Sequence, residues 1–131
     1  MNCFSLSPRT DVYRSVAWRR SATHPRVRFG IARMSFGRRL QIAREIRAIG
    51  QRLEYLEAGA SLAERAEASA ASAEIDRVYL RRGLAGIEGL EIDGAAATSE
   101  SLFDQGPEDL TREILDAVKA EWGLTEEERK N

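Results

Sequence analysis

A chain of 131 residues, 43% apolar and 7% aromatic, has material for one core rather than two, and its heavy use of alanine predicts a thin one. The formal net charge of −1 conceals a split: residues 1–60 carry 12 arginines against four acids, whereas residues 61–131 carry eight bases against 17 acids. Cys3 and His24 are the single representatives of their types, which excludes an intrachain disulfide, a Cys/His zinc site and ordinary Cys-His or Ser-His-Asp nucleophilic chemistry; no run approaches the roughly 20 apolar residues of a spanning helix.

Residues 1–24 contain Arg9, Arg14, Arg19 and Arg20, and Asp11 is the only acid before residue 45. This composition has a transit-peptide flavour without the apolar centre of a secretory signal. It is read as a disordered tail or an over-extended start, and the fold is expected to be a single helical domain over 25–131. Arg26 to Arg33 alternates, with Val27, Phe29 and Ile31 on one face and Arg28 on the other, the pattern of a short half-solvated strand.

Ser35 is placed to cap the next element. Phe36, Leu40, Ala43, Ile46, Ile49, Leu53 and Leu56 then recur every three or four residues, predicting an amphipathic helix of about six turns that ends at Gly59. Within it Ile42, Ile46, Ile49, Leu53 and Leu56 keep the 4-3-4-3 spacing of a packed helix pair. Ser61-Leu62-Ala63-Glu64 is a capping box, so a second helix follows almost at once and must run antiparallel to the first. Half of residues 58–73 are alanine; larger side chains return at Ile75, Val78, Tyr79 and Leu80. The hairpin should therefore be anchored better at its open end than at its turn.

Gly83, Gly86 and Gly89 are spaced too closely for a helix, and Leu90 and Ile92 alternate with Glu91 and Asp93 before Gly94. A short strand closed by an Asp-Gly turn is predicted, paired with the strand at 26–33 so that Arg28 and Arg33 face Glu91 and Asp93. A brief helix from Thr98 to Gly106 follows. Pro107, Glu108 and Asp109 then open a helix whose apolar face is Leu110, Ile114, Leu115, Val118 and Trp122, with Gly123 as its stop. Thr125-Glu126-Glu127-Glu128 is a further capping box. The expected fold class is mainly α: an antiparallel helical hairpin and a C-terminal helix, with a two-stranded ribbon.

Nothing along the chain forms a reaction centre. Asp93-Gly94-Ala95-Ala96 lacks the alternating oxygens of a calcium loop, and the glycines at 83, 86 and 89 follow a helix and precede a strand, the reverse of a phosphate-cradling loop. No catalytic, cofactor or metal residue is assigned. The residues singled out for contact with a protein partner are Arg38, Arg39, Arg44 and Arg47 on the first long helix, and Trp122 ahead of the acidic tail. Phe36 and Tyr55 are the only aromatics on that helix, which argues against nucleic acid as the partner. The cysteine usage fits a reducing, cytoplasmic compartment.

In Gly106-Pro107-Glu108-Asp109-Leu110, in Glu113-Ile114 and in the closing Leu124-Thr125-Glu126-Glu127-Glu128-Arg129-Lys130-Asn131, the chain resembles small phage and prophage tail proteins, most of all the tail assembly chaperones. The order of parts is similar too: a basic Arg33-Met34-Ser35-Phe36-Gly37-Arg38-Arg39 segment, a helical middle, a Gly-rich element from Glu88 to Gly94 and an acidic end. The resemblance covers about residues 26–131. It implies a non-enzymatic helper in the cytoplasm of a bacterial host that binds a tape-measure-type or other tail protein. A structural head or tail component and a nucleic-acid-binding regulator are the alternatives.

Overall fold

The structure, a computed structural model, describes residues 9–58 and 61–124, with the side chains of 53–58 excepted. Two layers meet in it. One is an antiparallel sheet of β1 (Val16–Arg20), β2 (Arg28–Ala32) and β3 (Leu84–Glu88), with β2 in the centre. The other is helical: α1 (Phe36–Ala58) and α2 (Leu62–Gly83) form the antiparallel hairpin, and α3 (Ser99–Gln105) and α4 (Glu108–Glu121) complete it. A ribbon of β4 (Glu91–Ile92) and β5 (Ala95–Ala96) joins β3 to α3. The architecture is thus mixed α/β, not mainly α, because the sheet has three strands and contributes a full face to the core.

Two corrections explain that difference. The first concerns residues 1–24, set aside as outside the fold: β1 lies there and pairs with β2 over its whole length, from Val16 opposite Ala32 to Arg20 opposite Arg28. Its apolar signal is only Val16 and Trp18, read past because arginines surround them. Trp18 lies on the outer face of the sheet over Gly30 and Gly86, where a Cβ would come within 2.9 and 3.0 Å of its ring. The Arg28 guanidinium stacks 5.2 Å from the centre of the same ring. Two glycines are needed on this face because an indole occupies the space of their side chains.

The second concerns the partner of β2. It is β3, not the stretch at 90–93, with Arg28 opposite Glu88 and Phe29 opposite Ile87; the register shifts by one residue between Gly30 and Ile31, leaving Ala85 unpaired in a bulge. Arg28 accordingly bonds Glu88 at 2.9 Å, and Arg33 faces Glu121 at 3.8 Å. The Asp-Gly turn does close a hairpin, that of β4 and β5, with φ of 52° at Asp93 and 84° at Gly94 as a type I′ turn requires.

The helices begin where their caps predict. Ser35 Oγ accepts from the backbone of Arg38, Ser61 Oγ accepts from that of Glu64, and Thr98 forms a reciprocal box with Ser101. At Ser61 the return bond differs from expectation, since its hydroxyl donates to the Glu64 carboxylate at 2.7 Å. Pro107 takes the N-cap position of α4. The Leu53 and Leu56 positions of the α1 seam, the Gly59 stop and the capping box at Thr125 lie outside the described residues.

The core is one cluster in which Val27, Phe29 and Ile31 of the sheet meet Leu80 of α2, Leu102 of α3 and Leu110, Ile114 and Val118 of α4, with Ile42 of α1 at its edge. Only Ala68 and Ala71 are buried in the first half of α2, whereas Val78, Leu80 and Gly83 are buried in the second. The hairpin is thus held at its open end. Among the described residues no helix is long and apolar enough to cross a membrane.

The split of charge along the chain is folded back on itself in part. Arg19 and Arg33 meet Glu121, Arg28 meets Glu88, and Arg52 meets Glu74. The loop after β1 is clasped to α4 by Glu113, whose carboxylate accepts from Ser21 Oγ at 2.6 Å, from the Ala22 amide at 2.6 Å and from Thr23 Oγ1 at 2.7 Å. Burial pushes the Glu113 carboxyl up, but those donors outweigh it and leave its pKa below the ordinary 4.5. A lowered folded pKa contributes stability above pH 4.5 that is lost as pH falls through the folded value. Glu113→Gln should therefore cost about 1–2 kcal/mol at pH 7 and flatten the acid limb of the stability profile below pH 4.5, as urea titrations across pH would read.

Candidate functional site

Arg38 and Arg39 are neighbours in sequence but serve different surfaces of α1. Arg38 points toward α2: its Nε donates to the Arg33 carbonyl at 3.2 Å and one of its terminal nitrogens to the Arg82 carbonyl at 3.1 Å. On the same flank Glu45 bridges Arg81 at 2.6 Å and Arg82, and Arg52 meets Glu74 at 3.5 Å. Burial pushes the Glu45 carboxyl up, yet the bonds from Arg82 and Arg81 prevail and keep it below its ordinary value. This side of α1 is fully engaged.

The opposite flank is open. Phe36 is 95% exposed and Leu40 52% exposed, and Ala43 with them faces solvent. The apolar stripe predicted for α1 is therefore two stripes: Ile42 is buried and Ile46 packs on the core, while Phe36, Leu40 and Ala43 lie about a third of a turn away and are exposed among the described residues. The cause is the arrangement of the helices. α1 packs on α2, and α4 packs on α2 and β2, so α1 and α4 have almost no direct contact.

Bounded by α1, by Tyr79 of α2 and by the Trp122–Leu124 segment that follows α4 lies a groove of about 310 Å³. Met34, Ile42, Ala43, Ile46, Tyr79, Trp122 and Leu124 line it, and among the described residues Arg39 and Arg47 are its only charged groups. Trp122 is buried and held from behind. Its Nε1–H donates to the Ala32 carbonyl at 2.8 Å, and its ring meets Tyr79 edge-on at a centroid distance of 5.8 Å. Lys119 lies 5.6 Å from the Tyr79 ring centre and bonds Asp76 at 3.0 Å, which fixes that ring from its other side.

Of the five residues singled out for partner contact, the structure brings Arg39, Arg47 and Trp122 together around this groove. Arg44 is exposed but outside it, and Arg38 is tied to backbone carbonyls. Arg39, Arg44 and Arg47 make no ion pair among the described residues. The sequence reading did not single out Met34, Tyr79 and Leu124 for partner contact, and they come from three separate segments. Two consequences can be measured. Arg38→Glu should lower folding stability by about 1.5–3 kcal/mol through its lost charged hydrogen bonds, whereas Arg39→Glu and Arg47→Glu should each stay within about 0.5 kcal/mol of the parent in thermal melts.

A second depression, of about 330 Å³ between α2, α3 and α4, is lined by Asp76, Phe103, Thr111 and Arg112. Its charges are already satisfied: Asp76 by Lys119, and Arg112 by Glu108 at 3.5 Å. Among the described residues no three His, Cys, Asp or Glu side chains gather as metal ligands would. The chain matches no protein-family model, no curated protein and no solved structure.

Proposed function

We propose that this protein is a non-enzymatic assembly helper of the phage or prophage tail assembly chaperone kind, acting in the cytoplasm of a bacterial host by binding a tape-measure-type protein. The observation that supports it best is the unpartnered flank of α1, where Phe36, Leu40 and Ala43 are exposed beside Arg39 and Arg47 while the other flank is fully bonded to α2. An exposed apolar stripe with cations at its border suits a helical protein partner better than a small substrate. Tape-measure proteins are long and helical, and apolar stripes on them need cover before the tail tube encloses them.

The test is co-expression with the product of the very long reading frame expected next to this gene. The reading expects co-purification of the two, absence of this protein from finished particles, and tail-less particles when its gene is deleted. Presence of the protein in purified particles would instead favour a structural head or tail component. Binding to duplex DNA that weakens steeply with salt would favour a regulator.

A further inference from the structure

We infer that the groove bounded by α1, Tyr79 and the Trp122–Leu124 segment receives one amphipathic helix of the partner, apolar along its seam and carrying two acidic residues about two turns apart. This deepens the proposed function, on which it rests, by naming the surface and the chemistry that fits it. Apart from the two arginines the lining is apolar, and a helix laid there would run alongside α1 and cover Ala43 and Ile46 against Tyr79 and Trp122. Among the described residues both charges on the lining are positive, and no carboxylate lines it. Arg39 and Arg47 are eight residues apart on α1, which at 1.5 Å per residue places them about 12 Å apart along the groove. A helix running alongside α1 meets both only if its acids are seven or eight residues apart, on the same side of the seam. Exposed Phe36 extends the apolar track by about one turn beyond Arg39, and exposed Leu40 lies between Arg39 and Ala43.

The slot is specific to one side. Across α1 the equivalent positions are bonded to α2 through Arg38, Glu45 and Arg52, so no second helix can lie there. Charge decides the occupant: a basic or neutral amphipathic helix would leave Arg39 and Arg47 beside a desolvated surface without counter-charge.

The probe is a fluorescein-labelled synthetic helix of about 20 residues with leucine on its seam and glutamates seven residues apart, compared by anisotropy with the same helix carrying lysines at those two places. Against the full chain the glutamate helix should bind at least about tenfold more tightly than the lysine helix. Arg39→Glu with Arg47→Glu should invert that preference, and Ala43→Glu should abolish binding of the glutamate helix. Thermal melts should be unchanged in these variants, because all three side chains are exposed. Equal binding of the two helices, or binding that survives Ala43→Glu, overturns the inference. So does binding that occurs only after Glu126, Glu127 and Glu128 are changed to glutamine, which would make this chain's own end the occupant. A dimer in sedimentation that Ala43→Glu dissociates overturns it as well, in favour of a second copy. Failure of the tape-measure co-purification with probe binding intact refutes the functional reading and leaves the groove standing; co-purification that survives Ala43→Glu refutes the groove and leaves the reading.

Discussion

Gly89→Ala is expected to cost about 3 kcal/mol or more of folding stability and to lower the melting temperature by about 10 °C or more. Gly89 leaves β3 with φ at +81°, a conformation that an alanine adopts only at a cost. The larger effect is steric, since a Cβ there would lie inside the van der Waals envelope of the Arg26 carbonyl oxygen. That carbonyl cannot swing aside cheaply. The Val27 amide donates to the His24 carbonyl at 2.8 Å, the Val27 carbonyl accepts from the Ser21 amide at 2.9 Å, and Val27 itself is buried. Moving Arg26 would therefore disturb the loop that Glu113 clasps and the first residues of β2. Gly94→Ala and Gly123→Ala provide the control, for both glycines have positive φ but open space where a Cβ would go. Each should lose only about 1–2 kcal/mol. Denaturant titrations of the three variants side by side read the difference, and a Gly89→Ala protein no weaker than Gly94→Ala would contradict the steric argument.

The helical layer was legible in the sequence because its signals are local. Ser35, Ser61 and Thr98 announce helix starts through bonds to residues three positions on, and Leu110, Ile114 and Val118 repeat with the helical period on a face that is wholly buried. Of the sheet only β2 was, through the alternation of Val27, Phe29 and Ile31; its neighbours were not, because their evidence is spread over separate segments. β3 reads as Leu-Ala-Gly-Ile-Glu, and its glycine makes sense only once Trp18, some 70 residues earlier, is known to cover it. Arginine density in β1 concealed Val16 and Trp18, although Arg19 is a strand residue whose charge is met by Glu121 of α4.

The groove was half legible for a related reason. α1 carries apolar residues at helical spacing both through Ile42, Ile46 and Ile49 and through Phe36, Leu40 and Ala43, and periodicity cannot say which series faces a neighbour. That depends on where α2 lies, and α2 is placed by Arg38, Glu45 and the buried end of its own sequence. Charge counts misled in a comparable way. The chain is basic in one half and acidic in the other, yet Arg19, Arg28, Arg33 and Arg52 are paired with acids of the other half, and on α1 Arg39, Arg44 and Arg47 make no ion pair among the described residues.

Two phenylalanines seven residues apart separate folding from binding. Phe29→Ala is expected to lose about 3–5 kcal/mol, a large share of the roughly 5–15 kcal/mol that stabilises a domain of this size, and to leave much of the protein unfolded at 37 °C. Phe29 is 1% exposed in the central strand, opposite Ile87 on one side and Arg19 on the other, and faces the core cluster that joins sheet to helices. No neighbour can fill the space it leaves without breaking the β1–β2–β3 register. Phe36 has the same side chain but is 95% exposed at the first turn of α1. Phe36→Ala should change stability by no more than about 0.5 kcal/mol while weakening the glutamate helix that the groove is inferred to hold. Circular dichroism melts and probe anisotropy on the two variants measure both quantities. A Phe36→Ala protein that melts as the parent does and binds the probe as tightly would confine the contact to the part of the groove beyond Arg39, toward Ile46 and Trp122.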